Sequence, residues 1–325
     1  MPSVPLARVV RSGLEESVHA GDVAVVDADG TVVAGTGDPD REVFARSSMK
    51  PLQAAVSLSL APYDFANREI AVMCASHNAE PVHIEAVRSL LARAGVDEDA
   101  LRCPMARPWD DESLAADPER RRINSDCSGK HSGMLAACRA NGWPLDSYRD
   151  PAHPYQQKVL RAVLAASGES RVRVGVDGCG VPVHGMPLRA MATIYARLSR
   201  PERLGALEEH ARRAVGAMRA EPYMVAGRNR PDTAVMQEAS AVIAKGGAEG
   251  LMCAALLDRG LGLAVKSRDG AGRAAGPALI HVLRSMDALD GDAVSRLAPF
   301  ARPAVLGGGE SVGEIVPEFE LIWKT

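Results

Sequence analysis

Apolar and polar residues alternate along residues 6–10, 17–20 and 22–27, with Val23, Val25 and Val26 on the apolar side of the last run. A period of two predicts strands half-buried on one face. Asp29-Gly30 is a hairpin signal, because both residues tolerate positive φ, and residues 31–34 read as the return strand. From Ser47 to about Leu60 the period lengthens, and Leu52, Ala55, Val56 and Ser59 fall on one helical face. Ser47 or Ser48 suits the N-cap, and Pro51 is tolerated only in a first turn, where its missing N–H costs no bond. Ser47 is therefore expected at the positive end of a helix.

Residues 70–75 form a continuous apolar run that ends in Ser76-His77-Asn78. A helix is predicted over 81–94, with Ile84, Val87, Leu90 and Leu91 inward, and then a polar, Pro- and Arg-rich connection over 102–126. Helices follow at about 131–140, stopped by Asn141-Gly142, and at 155–166, 188–198 and 201–219. A tight strand over 172–176 runs into Asp177-Gly178-Cys179-Gly180. After a helix near 233–241, residues 251–257 and 261–265 read as a hairpin about Asp258-Arg259-Gly260. A helix near 277–286 and a terminal strand over 318–323 complete the pattern. Strands at both ends with helices between predict an α+β fold in a single domain, 1–325. One antiparallel sheet comes from the two termini (about 1–46 and 242–325), and a helical insertion (about 47–241) packs on it.

Composition narrows the classes. The chain has 325 residues, 46% hydrophobic and 24% charged, and a formal net charge of -3. That balance is ordinary for a globular protein and offers no attraction to nucleic acid or an anionic membrane. No apolar stretch approaches the roughly 18 residues of a membrane span. The N-terminal residues lack a basic and then apolar leader, so a cytoplasmic protein with reduced cysteines is expected. Only six of the 38 basic residues are lysines. Lysine can give up its proton when buried, whereas arginine cannot, so each lysine invites a question about proton transfer.

Three constellations carry candidate chemistry. Ser47-Ser48-Met49-Lys50 is a Ser-x-x-Lys in which the i,i+3 spacing brings Ser47 and Lys50 to one helix face, and the lysine can serve as base to the serine. The same letters also describe a capping serine followed by a surface lysine. Lys245-Gly246-Gly247-Ala248-Glu249-Gly250 sets a lysine before small residues at the start of a predicted strand, where backbone can approach a ligand closely. Paired with the early Ser-x-x-Lys, it has the layout of the serine β-lactamase and glutaminase superfamily. Cys127-Ser128-Gly129-Lys130 and Cys179 place two thiols and an amine on or beside Gly-rich loops. A soft divalent metal such as zinc is one reading, and a pair of inert buried thiols is the other. Ser76-His77 does not make a dyad by adjacency, and a structural role is expected of His77.

Taken together, these segments resemble the rhizobial-type L-asparaginase family. The resemblance runs from Arg46–Gln53 through Cys74–His77, Asn124–His131 and Asp177–Pro182 to Lys245–Gly250. It implies a serine β-lactamase/glutaminase-like fold, hydrolysis of L-asparagine to L-aspartate and ammonia, and a homodimer. It also implies two Ser–Lys pairs, Ser47 with Lys50 and Ser76 with Lys245. By the same resemblance Cys127, Lys130 and Cys179 hold zinc. A free amino acid needs a cation at its carboxylate and a carboxylate at its ammonium, and Arg46, His131 and Asp177, each beside a motif residue, are expected to read it. Asn78-Ala79 stands where the family favours Ser-Gly. Competing classes are a glutaminase, another Ser-x-x-Lys acylase and a non-catalytic zinc-binding protein. Ammonia release from asparagine and glutamine, and hydrolysis of a chromogenic β-lactam, separate them.

Overall fold

The computed structural model describes residues 3–324. It is a mixed α+β chain that falls into two compact units. The sheet unit comprises the residues up to Ser48, Met186–Arg200 and the residues from Ala234 onward. The helical unit comprises Met49–Gly185 and Pro201–Thr233.

The sheet unit is built on an antiparallel sheet whose neighbours run Ala304–Gly307, Glu310–Pro317, Val4–Arg11, Leu14–Val26, Leu261–Ser267, Leu251–Leu256 and Val242–Gly247. Val32–Thr36 also pairs with Leu14–Val26, and Ile322–Trp323 pairs with Val32–Thr36. Both termini thus contribute strands to one sheet, as the pattern predicts. The centre is apolar, with Val23 opposite Val265 and Val25 opposite Leu263, all fully buried. The helix Leu188–Ser199 belongs to this unit. Gly262 explains how closely it packs: a Cβ there would lie 1.9 Å from the Ala192 carbonyl oxygen.

The helical unit contains Lys50–Leu60, Asn67–Met73, Pro81–Arg93, Ser128–Ala140, Pro154–Ser167 and Glu208–Ala220. Ser128–Ala140 is the informative member, because Ser128, Lys130, His131 and Ser132 are as buried as its apolar residues. Buried polar groups persist only when partnered, so a polar helix in a core marks a site or a network. Gly129 allows its approach to Asn67–Met73; a Cβ would sit 2.1 Å from the Val72 carbonyl oxygen.

Three expectations are corrected and two elements are added to them. The serines do not cap an α-helix: Arg46–Met49 is a 3-10 turn, and the α-helix starts at Lys50 with Met49 at its N-cap. Residues 70–73 lie in a helix, buried all round and so without a visible period. Lys245 stands inside Val242–Gly247 and not ahead of a strand. The hairpin Ala304–Gly307 and Glu310–Pro317 was not anticipated, and the predicted terminal strand reduces to Ile322–Trp323.

Candidate active site

In the sheet unit the turn Arg46–Met49 is set by its backbone. Arg46 has φ of 45°, a left-handed conformation that non-glycine residues adopt at a cost of about 1–2 kcal/mol. Ser48 donates from Oγ to the Lys245 carbonyl at 3.1 Å, and Tyr195 donates to the Ser48 carbonyl at 2.8 Å. Gly247 passes close by: a Cβ there would be 3.0 Å from Ser48 Oγ and 3.4 Å from the Ser48 amide nitrogen. The end of the Val242–Gly247 strand therefore lies against the serine turn, and only glycine fits without displacing it. Lys245 is fully buried and donates to the Gly246 carbonyl at 2.6 Å. Ser47 is half-buried, and its hydroxyl has no hydrogen bond within this unit. Arg46 and Glu249 approach to 4.0 Å at a cavity of about 330 Å³ whose other cations are Arg41, Lys266 and Arg268.

In the helical unit Lys50 is fully buried. Its Nζ lies 2.6 Å from the Ala75 carbonyl, 2.8 Å from Ser76 Oγ and 3.4 Å from the Asp126 carbonyl, with Asp126 Oδ2 at 3.8 Å. Every ammonium proton has an acceptor, which is what burial of such a group requires. The Ser76 hydroxyl accepts from the charged lysine and can donate to the neutral amine, so proton exchange between the two needs no movement. The resemblance pairs Ser76 with Lys245; the serine bond that Lys50 makes in its own unit goes to Ser76.

His77 has the structural role expected of it. Its Nδ1 accepts from the Ala79 N–H at 3.1 Å, so the neutral ring carries its proton on Nε2 and donates it to Ser128 Oγ at 2.9 Å. Burial first, then His83 and Lys50, push its pKa well below the ordinary value and keep it neutral. Ala79 has φ of 62°, so the alanine that replaces the family's glycine keeps a glycine-like backbone.

Cys127, Lys130, His131 and Cys179 meet in the same unit. Lys130 Nζ donates to Cys179 Sγ at 3.0 Å, and Asp177 Oδ2 lies 3.8 Å from that sulfur. The hydrogen bond from Cys127, aided by Lys130 and His131, pulls Cys179 far below the ordinary thiol value, while Cys127 itself is pushed up. Burial would lower Lys130, but Cys179, Cys127 and Asp177 hold it above its ordinary value. His131 Nδ1 shares a 2.6 Å bond with the Tyr148 hydroxyl, and its buried Nε2 has no hydrogen-bond partner. Among the described residues no group of three or more His, Cys, Asp and Glu side chains could hold a metal. Two thiols and a lysine amine form a donor set of the soft kind zinc takes.

Within the sheet unit the structure thus gathers Arg46, Ser47 and Lys245, and within the helical unit Lys50 with Ser76 and Cys127 with Lys130, His131, Asp177 and Cys179. Sequence reasoning missed Ser128, Tyr148 and Tyr195. Hydroxyls carry no local signature, and only their partners identify them.

A family profile described as L-asparaginase II matches residues 7–317. The chain belongs to the L-asparaginase II family, and by that membership it is an amidohydrolase-type enzyme. No curated protein matches it. Solved structures similar to it include Mglu in its native form, 15% identical with a TM-score of 0.48, covering 84% of this chain and 67% of that one. A β-lactamase from Mycobacterium bovis is 16% identical with a TM-score of 0.47, covering 83% of this chain and 95% of that one. Simvastatin synthase from Aspergillus terreus is 12% identical with a TM-score of 0.41, covering 81% of this chain and 93% of that one. No helix among the described residues is long and apolar enough to cross a membrane.

Proposed function

We propose that this chain hydrolyses the side-chain amide of L-asparagine to L-aspartate and ammonia through a serine acyl-enzyme. The observation that carries the reading is the fully buried Lys50 amine 2.8 Å from the Ser76 hydroxyl, in a chain of an amidohydrolase family. As the neutral amine, such a lysine takes a proton from a serine.

Ser47, three residues before Lys50 in sequence, is assigned the nucleophile. Lys50 takes its proton as Oγ bonds to the amide carbon, and the oxyanion is held by the Ser47 N–H and that of Ala248. Collapse of the tetrahedral adduct breaks the C–N bond. The proton Lys50 took from Ser47 passes on through Ser76 and Lys245 to the departing nitrogen, which leaves as ammonia and returns Lys50 to the neutral amine. Water then attacks the β-aspartyl ester and gives a proton to Lys50, and that proton goes to Ser47 Oγ as the ester C–O bond breaks and L-aspartate is freed. Arg46, His131 and Asp177 are assigned to the substrate's carboxylate and ammonium. Cys127, Lys130 and Cys179 would hold zinc, which when bound supplies positive charge for substrate binding and takes no covalent part. Ammonia release from L-asparagine and L-glutamine, run in parallel with ring opening of a chromogenic β-lactam, tests the reading. Turnover confined to glutamine or to the β-lactam replaces the substrate, and no turnover of any amide with metal still bound leaves a zinc-binding protein.

A further inference from the structure

The segment Ser76–Glu80 is stitched to the turn after Met224. Ser76 and Asn78 donate their N–H groups to the Val225 and Ala226 carbonyls at 2.9 and 3.0 Å. The Asn78 amide bridges two more groups: Nδ2 donates to the Arg228 carbonyl at 2.9 Å, and Oδ1 accepts from Arg230 Nη1 at 2.9 Å. The same Arg230 nitrogen reaches the Ser76 carbonyl at 3.4 Å, and the guanidinium lies over the Trp109 ring, 5.6 Å from its centroid. Arg230 is therefore fixed by three neighbours beside the residue whose hydroxyl meets Lys50.

Charge distinguishes it from the arginine two positions earlier. Arg228 takes the local carboxylates, reaching Glu112 at 2.5 Å, Asp110 at 3.6 Å and Glu80 at 3.9 Å. Arg230 has no carboxylate partner among the described residues, and both its protein hydrogen bonds come from Nη1. Its Nε–H and the Nη2 hydrogens, the planar fork that matches a carboxylate, have no protein acceptor. Arg46, the other cation assigned to substrate, already has Glu249 at 4.0 Å.

We propose that Arg230 is the specificity residue that binds the α-carboxylate of the substrate, with Asn78 as its positioning residue. The assignment rests on the amidohydrolase reading above and deepens it. It restricts substrates to amides with a free carboxylate one short side chain away, and it gives the product L-aspartate an anchor at the same place. A guanidinium gripping the Ser76 carbonyl also ties carboxylate binding to the position of the Ser76 hydroxyl.

The test compares L-asparagine with 3-aminopropanamide, which lacks only the α-carboxylate, on the wild type and on Arg230→Gln, Arg230→Lys and Arg46→Gln. A bidentate charge-assisted contact implies a KM for L-asparagine raised at least ~10-fold in Arg230→Gln. The kcat should stay within about threefold, and kcat/KM for the decarboxylated amide should not change, so the preference between the two collapses. Arg230→Lys should recover part of that preference, since it restores charge without the fork. L-Aspartate should raise the melting temperature of the wild type and not that of Arg230→Gln, and circular dichroism shows whether each variant is folded. An unchanged preference in Arg230→Gln, or its collapse in Arg46→Gln alone, overturns the assignment. A wild type that turns over neither amide overturns the asparagine-hydrolase reading, and with it this one; that result is visible before any variant is made.

Discussion

The two halves of the candidate machinery are held in place by different means. In the helical unit side chains hold side chains: Lys50 on Ser76, His77 on Ser128, Lys130 on Cys179. In the sheet unit backbone geometry dominates: a left-handed Arg46, a glycine at 247 that admits the serine turn, and a Ser47 hydroxyl with no bond in that unit. A nucleophile has to leave its resting contacts to form a bond to carbon, whereas a proton relay works by keeping its contacts. The unbonded serine suits the first task and the bonded one the second. That contrast, beside the Ser-x-x-Lys letters, is what the proposed division of roles between the two serines rests on.

Replacing serines is the strongest way to break the comparison. Ser47→Ala and Lys50→Met should each lower kcat on asparagine by roughly three or more orders of magnitude, as loss of either member of a nucleophile–base pair does. Ser76→Ala should cost less and lose rate mainly in acylation, which rapid-quench measurement of the ammonia burst resolves. If Ser47→Ala retains near-wild-type turnover while Ser76→Ala is dead, the roles are exchanged.

Metal removal probes the helical unit alone. Chelation, or Cys127→Ser or Cys179→Ser, should raise KM for asparagine about tenfold, on the order of 1.4 kcal/mol, and leave kcat largely intact. Metal analysis of the purified protein should find zinc. A zinc-free protein with both cysteine variants fully active would leave the sulfurs as plain buried thiols.

Acid should also distinguish the units. Burial lowers the pKa values of His77, His83 and His184, the last to about 4, and all three lie in the helical unit. Their folded values lie below the unfolded value near 6.5, so below that pH the unfolded chain binds more protons. Their contribution is complete above pH 6.5 and is lost as pH falls through the folded values. His184 alone accounts for about 3 kcal/mol at pH 4 or below. Hydrogen-exchange protection factors, with the slower intrinsic exchange at low pH divided out, should fall from pH 7 to pH 5 more in Lys50–Leu60 and Ser128–Ala140 than in the central strands of the sheet; an equal fall would contradict it.

The smallest expected effect is at Ala79. Ala79→Gly relieves a left-handed backbone but frees the unfolded chain, so stability should rise by no more than about 1 kcal/mol, with kcat unchanged. Urea unfolding measures it.

The sequence made the sheet legible where one face is buried: Val23, Val25 and Val26 announce their strand by alternation. It concealed elements buried on every side or none. Residues 70–73 are apolar all round, so nothing separates a buried helix from a strand there. The hairpin across Gly308 and Gly309 has exposed, short strands with little pattern. At the site, the types and spacings of Ser47, Lys50, Lys245 and the two cysteines stood out. The contact of Lys50 with Ser76, 26 positions away, and the clamp on Arg230 by Asn78 did not, because they are made by the fold and not by neighbours in the chain.

The strand Val242–Gly247 ends the order of its sheet, so no further strand of that sheet consumes its outer row of N–H and C=O groups. An edge of this kind is ordinarily a hazard, a template on which another chain can zip up. Here the row borders the serine turn, and one of its carbonyls, that of Lys245, is already taken by Ser48. The same row of backbone polar groups that elsewhere invites aggregation becomes, beside Ser47, a supply of rigid dipoles. Making Val242–Gly247 a better strand, for instance by exchanging Gly247 for valine, would strengthen the sheet on paper and close the place where chemistry is proposed to occur.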